Sequence, residues 1–188
     1  MSNGPGKLAR ELLERVFVVR SRFLIALAAG MGLWLSAPAA HAEGWITEGT
    51  FAVGSGLEGG DPGPGSIVWR RARTRIVAGF DLRSDENEQD SWGLRAFAEI
   101  EKRGGAGLEA RYTRWMSRSF GGFVFATATL VPKTVVGAGF GACLGIPFGK
   151  RASFAIEPAF AALPFGSDVP GQTVLLLGSL SLGLKVNL

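Results

Sequence analysis

The feature that most constrains this chain is a strict two-residue alternation running to its last residue. In LLLGSLSLGLKVNL (175–188) the even positions Leu176, Leu180, Leu182, Leu184, Val186 and Leu188 are apolar, interrupted only by Gly178. From Ser179 the odd positions are Ser, Ser, Gly, Lys and Asn. A period of two is a strand with one apolar and one polar face. Seven further runs repeat it: 45–54, 66–83, 91–101, 108–116, 122–131, 135–146 and 152–160. Gly, Pro, Asp and Ser separate them, and no stretch keeps a helical period, so the pattern predicts an all-β sandwich or barrel.

The front of the chain has a different character. Arg20 and Arg22 precede an uncharged apolar run from Phe23 to Leu35, then Pro38 and Ala40-His41-Ala42. This is the layout of a secretory signal peptide, with the cut expected between Ala42 and Glu43. The apolar run is 13 residues, short of the roughly 20 that a spanning helix needs. The expected organisation is a signal peptide with a long N-terminal extension (1–42) and one barrel domain (43–188). Five of the 20 basic and two of the 16 acidic residues leave with the leader, so 15 and 14 remain. The basic balance belongs to the leader, and a nucleic-acid partner loses its support. His41, the only histidine, leaves as well.

Eight is an even number, and an up-and-down barrel with even strand number returns both termini to one side. Closure pairs the first strand with the last and removes the open edges that lipid cannot tolerate. The apolar sets include Trp45, Thr47, Phe51 and Val53; Ile76, Ala78, Phe80 and Leu82; and Trp92, Leu94, Ala96, Ala98 and Ile100. They carry almost no charge. The opposite faces carry Glu48, Arg73, Arg75, Arg95, Glu99, Glu109, Arg111, Glu157 and Lys185, mid-strand and of both signs. Such faces suit the narrow interior of an eight-stranded barrel filled by side chains, with the apolar faces turned to lipid. Trp45, Trp92 and Trp115 fall near one end of the strands and Trp69 near the other, as interfacial girdles would place them. Trp69 and Trp115 break the parity of their strands, which predicts bulges or strand ends there. Run 122–131 is apolar on both faces, and its inward side is open.

The alternating segments, the leader and the glycine-spaced VGAGFGACLGIPFGKRASFAIEPAF (136–160) together resemble the eight-stranded outer-membrane barrels of Gram-negative bacteria, the OmpA-barrel, OmpX and opacity-type group. The resemblance implies an eight-stranded antiparallel up-and-down transmembrane barrel, monomeric, in outer-membrane lipid. It also implies delivery to the barrel-assembly machinery through the C-terminal strand, with Leu188 standing where such proteins usually end in Phe or Trp.

Barrels of this size that modify lipid A resemble enzymes relying on a histidine near a serine, and residues 43–188 hold no histidine. A Ser–His arrangement cannot be built from them. One cysteine, Cys143, and no histidine argue against zinc or copper. GSGLEGGDPGPG (54–65) lacks a P-loop lysine and reads as an exposed loop, as does 161–172; RSDENEQD (83–90) reads as a solvated turn. No catalytic residue, cofactor or metal is expected. Arg73, Arg75, Arg95 and Arg111 are expected to neutralise Glu99, Glu109 and Glu157 inside the barrel, with Lys185 closing the set, because buried charges must be paired. The functional expectation is a non-enzymatic outer-membrane barrel: structural, a narrow or gated pore, or a surface-interaction protein. The alternative is a soluble periplasmic lipocalin-like carrier of an apolar ligand.

Overall fold

The computed structural model describes residues 45–60, 68–72, 74–84, 89–100, 104–166 and 174–188. The proposed cleavage site at Ala42 and Glu43 and the side chain of Arg73 lie outside them. Nine strands form one antiparallel sheet: β1 (Trp45–Gly60), β2 (Val68–Arg71), β3 (Thr74–Ser84), β4 (Asp90–Ile100), β5 (Gly105–Trp115), β6 (Phe120–Val131), β7 (Val135–Phe148), β8 (Ala152–Gly166) and β9 (Leu175–Asn187). The order is β2-β1-β3-β4-β5-β6-β7-β8-β9, and β1 also pairs with β9 over Glu48↔Asn187 to Gly59↔Leu176. That pairing closes the ring. Backbone groups of the first and last strands therefore have partners on both sides, which removes the free edge.

The ring has eight strands because β2, ending at Arg71, and β3, starting at Thr74, are one strand of it. The run 66–83 reads as a single strand in sequence, but its register changes inside it. Leu57 pairs with Arg71 and Gly54 with Arg75. Three steps on β1 thus oppose four on the other strand, a bulge that exchanges the two faces. Trp69, on the wrong parity for β3, consequently points outward beside Gly59. Strands β1 and β8 are also longer than their alternation suggests. Residues 55–60 and 161–166, expected in loops, are strand because β9 pairs with β1 as far as Gly59 and with β8 as far as Leu163, while β2 takes Gly60 and β7 takes Phe165 and Gly166.

The turns 116–119 and 149–151 share one end of the barrel with Trp45 and Asn187, here the terminal end. In the first-to-last order of the ring, the β5–β6 turn is tied by Ser117, whose Oγ accepts from the backbone N–H of Phe120 at 3.0 Å. The β7–β8 turn uses Gly149 at φ 76°, which a side chain would resist.

Period-two patterning sorts the side chains. Trp92 (62 % exposed), Phe140 (61 %), Leu108, Leu182 and Ile146 stand outward. Inward positions are buried. The open face of run 122–131 resolves with Phe123, Phe125 and Thr127 inside and Val124 outside. Those phenylalanines fit because they lie against glycines of the neighbouring strand. A Cβ on Gly141 would meet the Phe123 ring, and one on Gly139 the Phe125 ring. Phe97 of β4 lies over Gly107 of β5 in the same way. With Leu163, Leu177 and Cys143, the β6 aromatics form an apolar wall along β6–β9.

Candidate functional site in the barrel lumen

The other side of the lumen is ionic. Asp81 (β3), Arg95 (β4), Arg111 (β5), Glu157 (β8) and Lys185 (β9) all stand on inward parity and all are buried. Their long side chains reach the middle because the positions beside them are small. Gly79, opposite Arg95, would carry a Cβ into the arginine's own chain, and one on Gly93 would strike the Asp81 carboxylate.

Glu157 is the hub. Its Oε2 accepts from Arg95 Nη1 at 2.9 Å and from Arg111 Nη1 at 2.8 Å, and Lys185 Nζ lies 3.5 Å from Oε1. Arg95 turns its Nη2 to Asp81 Oδ2 at 3.0 Å, where Thr50 Oγ1 also donates at 3.1 Å. Lys185 Nζ is 3.6 Å from the same oxygen. Arg111 reaches back to Glu109 Oε1 from Nη2 at 2.9 Å. Arg75 and Glu99, direct cross-strand partners, make a separate pair at 2.9 Å. Arg95 and Glu157 sit on strands four apart in a ring of eight, so their contact spans the lumen. Charge-assisted bonds of this length are the stronger kind, and removal of one partner strands the others in a low-dielectric interior.

Three cations also cover aromatic faces: Arg111 over Phe123 at 3.7 Å, Arg75 over Phe97 at 4.3 Å and Lys185 over Trp115 at 5.2 Å. Each contact contributes on the order of 0.5–2 kcal/mol and joins the ionic side to the apolar wall. Trp115 is a correction to the girdle reading. It ends β5, as a parity break suggested, yet it keeps the inward parity of Glu109 and Arg111 and packs against the core. Taken at face value, that shared parity already pointed inside.

Of the eight residues expected to interact, Arg75, Arg95, Glu99, Glu109, Arg111, Glu157 and Lys185 all stand inside and in ion pairs; Arg73 is outside the described residues. Sequence reasoning left Asp81 out of the set, although it alternates with Arg75 and Arg83 on one face. It also gave no role to Thr50 or to the covering aromatics. Glu48, buried on β1, stands directly opposite Asp81.

The network divides the lumen. Toward the terminal end, Asp81, Ser91, Thr113, Cys143 and Lys185 are each at most 3 % exposed, a filled interior. Toward the other end a cavity of about 360 Å³ opens above Arg95, Arg111 and Glu157. The expected uniform filling by side chains therefore applies to one half only. The physical reason is the size of the inward residues there: Gly54, Ser55, Ser179 and Ser181 replace the long chains found below.

Among the described residues, no group of three or more His, Cys, Asp or Glu converges as a metal site would, and no helix is long and apolar enough to cross a membrane. No family model matches the chain, and no curated protein matches it significantly.

Proposed function

We propose that this chain is a non-enzymatic outer-membrane β-barrel protein of the OmpA-barrel, OmpX and opacity-type kind, with a lumen closed to ions and a structural or surface-interaction role. The observation that carries the reading is the polarity of the barrel. Large apolar side chains stand outward on its strands, from Trp92 and Leu94 on β4 to Leu182 and Leu184 on β9, and the charges lie inside. A soluble protein rarely exposes contiguous apolar surface of that extent, whereas lipid requires it. Strands β1 and β3–β9 each run 11–16 residues, enough for the roughly 9–11 that cross a bilayer. A soluble carrier would need the opposite arrangement, with apolar residues inside and a charged exterior. Export through the leader with cleavage after Ala42, insertion as a monomer, and recognition of β9 by the assembly machinery complete the proposal.

Cell fractionation tests it, followed by electrophoresis with and without boiling. The protein should remain in the membrane pellet after osmotic shock and migrate faster unboiled. Release into the periplasmic fluid would refute the membrane reading and leave the carrier. In planar bilayers the wild type should conduct weakly or not at all, because the Arg95–Glu157 contact spans the lumen. Steady conductance would replace the closed barrel with a constitutive pore.

A further inference from the structure

From Ala110 to Ile156 the chain holds six basic residues and no acid. Two of the six have partners: Arg111 is paired inside the lumen, and Lys133, between β6 and β7 at the opposite end, is also engaged. The other four gather at the terminal end. Arg114 of β5 stands opposite Asp90 of β4, Arg118 sits in the turn 116–119, and Lys150 and Arg151 lie in the turn 149–151.

Arg118, Lys150 and Arg151 are exposed and enter none of the ion pairs formed among the described residues. The acids Asp85, Glu86 and Glu88 lead into β4, and β5 and β6 separate β4 from β7, the strand that carries Lys150 and Arg151 at its end. The terminal carboxylate of Leu188 follows Asn187, whose N–H donates to the Arg151 carbonyl at 2.8 Å; it makes no ion pair with these cations either. Gly145 N–H donates to the Ser119 carbonyl at 2.7 Å, which holds the Arg118 turn against β7. From Gly145 to Lys150 the chain runs five residues, at most roughly 17 Å at about 3.3 Å each. Apolar side chains accompany the charges. Met116 and Phe120 flank Arg118 two residues to either side, Phe148 precedes Lys150 by two, and all three are exposed.

We infer that this arc of the terminal rim holds headgroups of anionic phospholipids in the leaflet it meets, one at Lys150 and Arg151 and a neighbour at Arg118. Met116, Phe120 and Phe148 enter the acyl region, and the cations meet phosphate at headgroup level, as basic side chains do when they reach out of an apolar layer. An anionic lipid is favoured over a zwitterionic one because a zwitterionic headgroup brings its own cation, whereas these three charges have no acid to neutralise them. The separation of the two turns calls for two headgroups side by side rather than one shared between them. The inference rests on the membrane reading of the proposed function and adds to it a lipid class and a side of the barrel.

Amide NMR of the barrel in phosphatidylcholine nanodiscs, enriched stepwise with phosphatidylglycerol at constant salt, tests it. The amides of residues 117–119 and 149–151 should shift saturably. The double variant Lys150→Gln/Arg151→Gln should raise the phosphatidylglycerol fraction needed at residues 149–151 by about fivefold or more. Both substitutions lie in an exposed turn, and unchanged amide shifts at Thr113 and Leu182 would show that the barrel is intact. Arg70→Gln, exposed on β2 at the opposite end, should change nothing. If it weakens the response as much as the double variant does, the barrel answers only to net charge and the site falls. Shifts that never saturate, or that sodium glycerol phosphate reproduces without anionic lipid, would also overturn the lipid site. Gel filtration of the barrel with pure phosphatidylcholine discs reports on the membrane reading separately: a chain that leaves the discs refutes that reading, and one that stays but ignores phosphatidylglycerol refutes this one.

Discussion

Glu157→Ala is the substitution whose consequence the geometry specifies most closely. The carboxylate serves Arg95 at 2.9 Å, Arg111 at 2.8 Å and Lys185 at 3.5 Å. Arg95 would keep Asp81, and Arg111 would keep Glu109, but three buried cations would then share two acids. Stranding buried charge in this way costs about 3–5 kcal/mol. Glu109→Ala makes the comparison. Among the described residues Glu109 bonds only Arg111, which retains Glu157, and its side chain is 11 % exposed against 4 % for Glu157. The loss there is one hydrogen bond to a charged group, roughly 1.5–3 kcal/mol. Glu157→Gln, which keeps the size and an acceptor oxygen, should fall between the two. Reversible urea unfolding in lipid vesicles measures all three against wild type, and conductance of the same samples shows whether the emptied centre admits ions. Equal destabilisation by Glu157→Ala and Glu109→Ala would refute the hub, because it would mean that each acid is solvated and acts alone.

Other expectations follow from the facing of the side chains. Arg placed at Leu182 or Ile76, both outward, should cost about 2–4 kcal/mol of barrel stability near the bilayer midplane, while Ser181→Asn, one residue away and inward beside the cavity, should cost under about 1 kcal/mol; equal tolerance in vesicle unfolding would count against lipid on the outside. Gly141→Ala, whose methyl would strike the Phe123 ring, should lose about 1–3 kcal/mol by overpacking, whereas at Gly122 the nearest atom is Met116 Cε at 3.5 Å and alanine should be neutral in the same assay. Cys143, fully buried, should react with a maleimide only after unfolding. N-terminal sequencing of the membrane-extracted protein should begin at Glu43; retention of residues 23–42 would make that segment an anchor.

Much of the fold is legible in the sequence because a strand's two faces are written in its alternation. The parity of Leu180, Leu182 and Leu184 against Ser179, Ser181 and Lys185 needs no neighbour to be read. The same holds for Trp92 and Leu94 against Arg95 and Glu99. It fails where regularity fails. Residues 122–131 are apolar at both parities, and only the glycines of β7 decide that Phe123 and Phe125 go inside. Between Arg71 and Arg75 a bulge exchanges the faces, so Trp69 and Trp115, which look alike in sequence, end on opposite sides of the wall.

By itself, then, the sequence determined the number of ring strands, which face of most of them is apolar, and that charges of both signs lie opposite. These are local properties, set by a period of two and by turn residues. The tertiary structure decided which charges meet. Arg95 and Glu157 are 62 residues apart and lie across the lumen rather than on paired strands. Parity gives a residue's face, but the height at which it enters the lumen depends on the stagger of all eight strands. Closure sets that stagger. It brings Asp81 into the network, makes Glu157 its centre and leaves a cavity above them, because only a closed ring fixes every register at once.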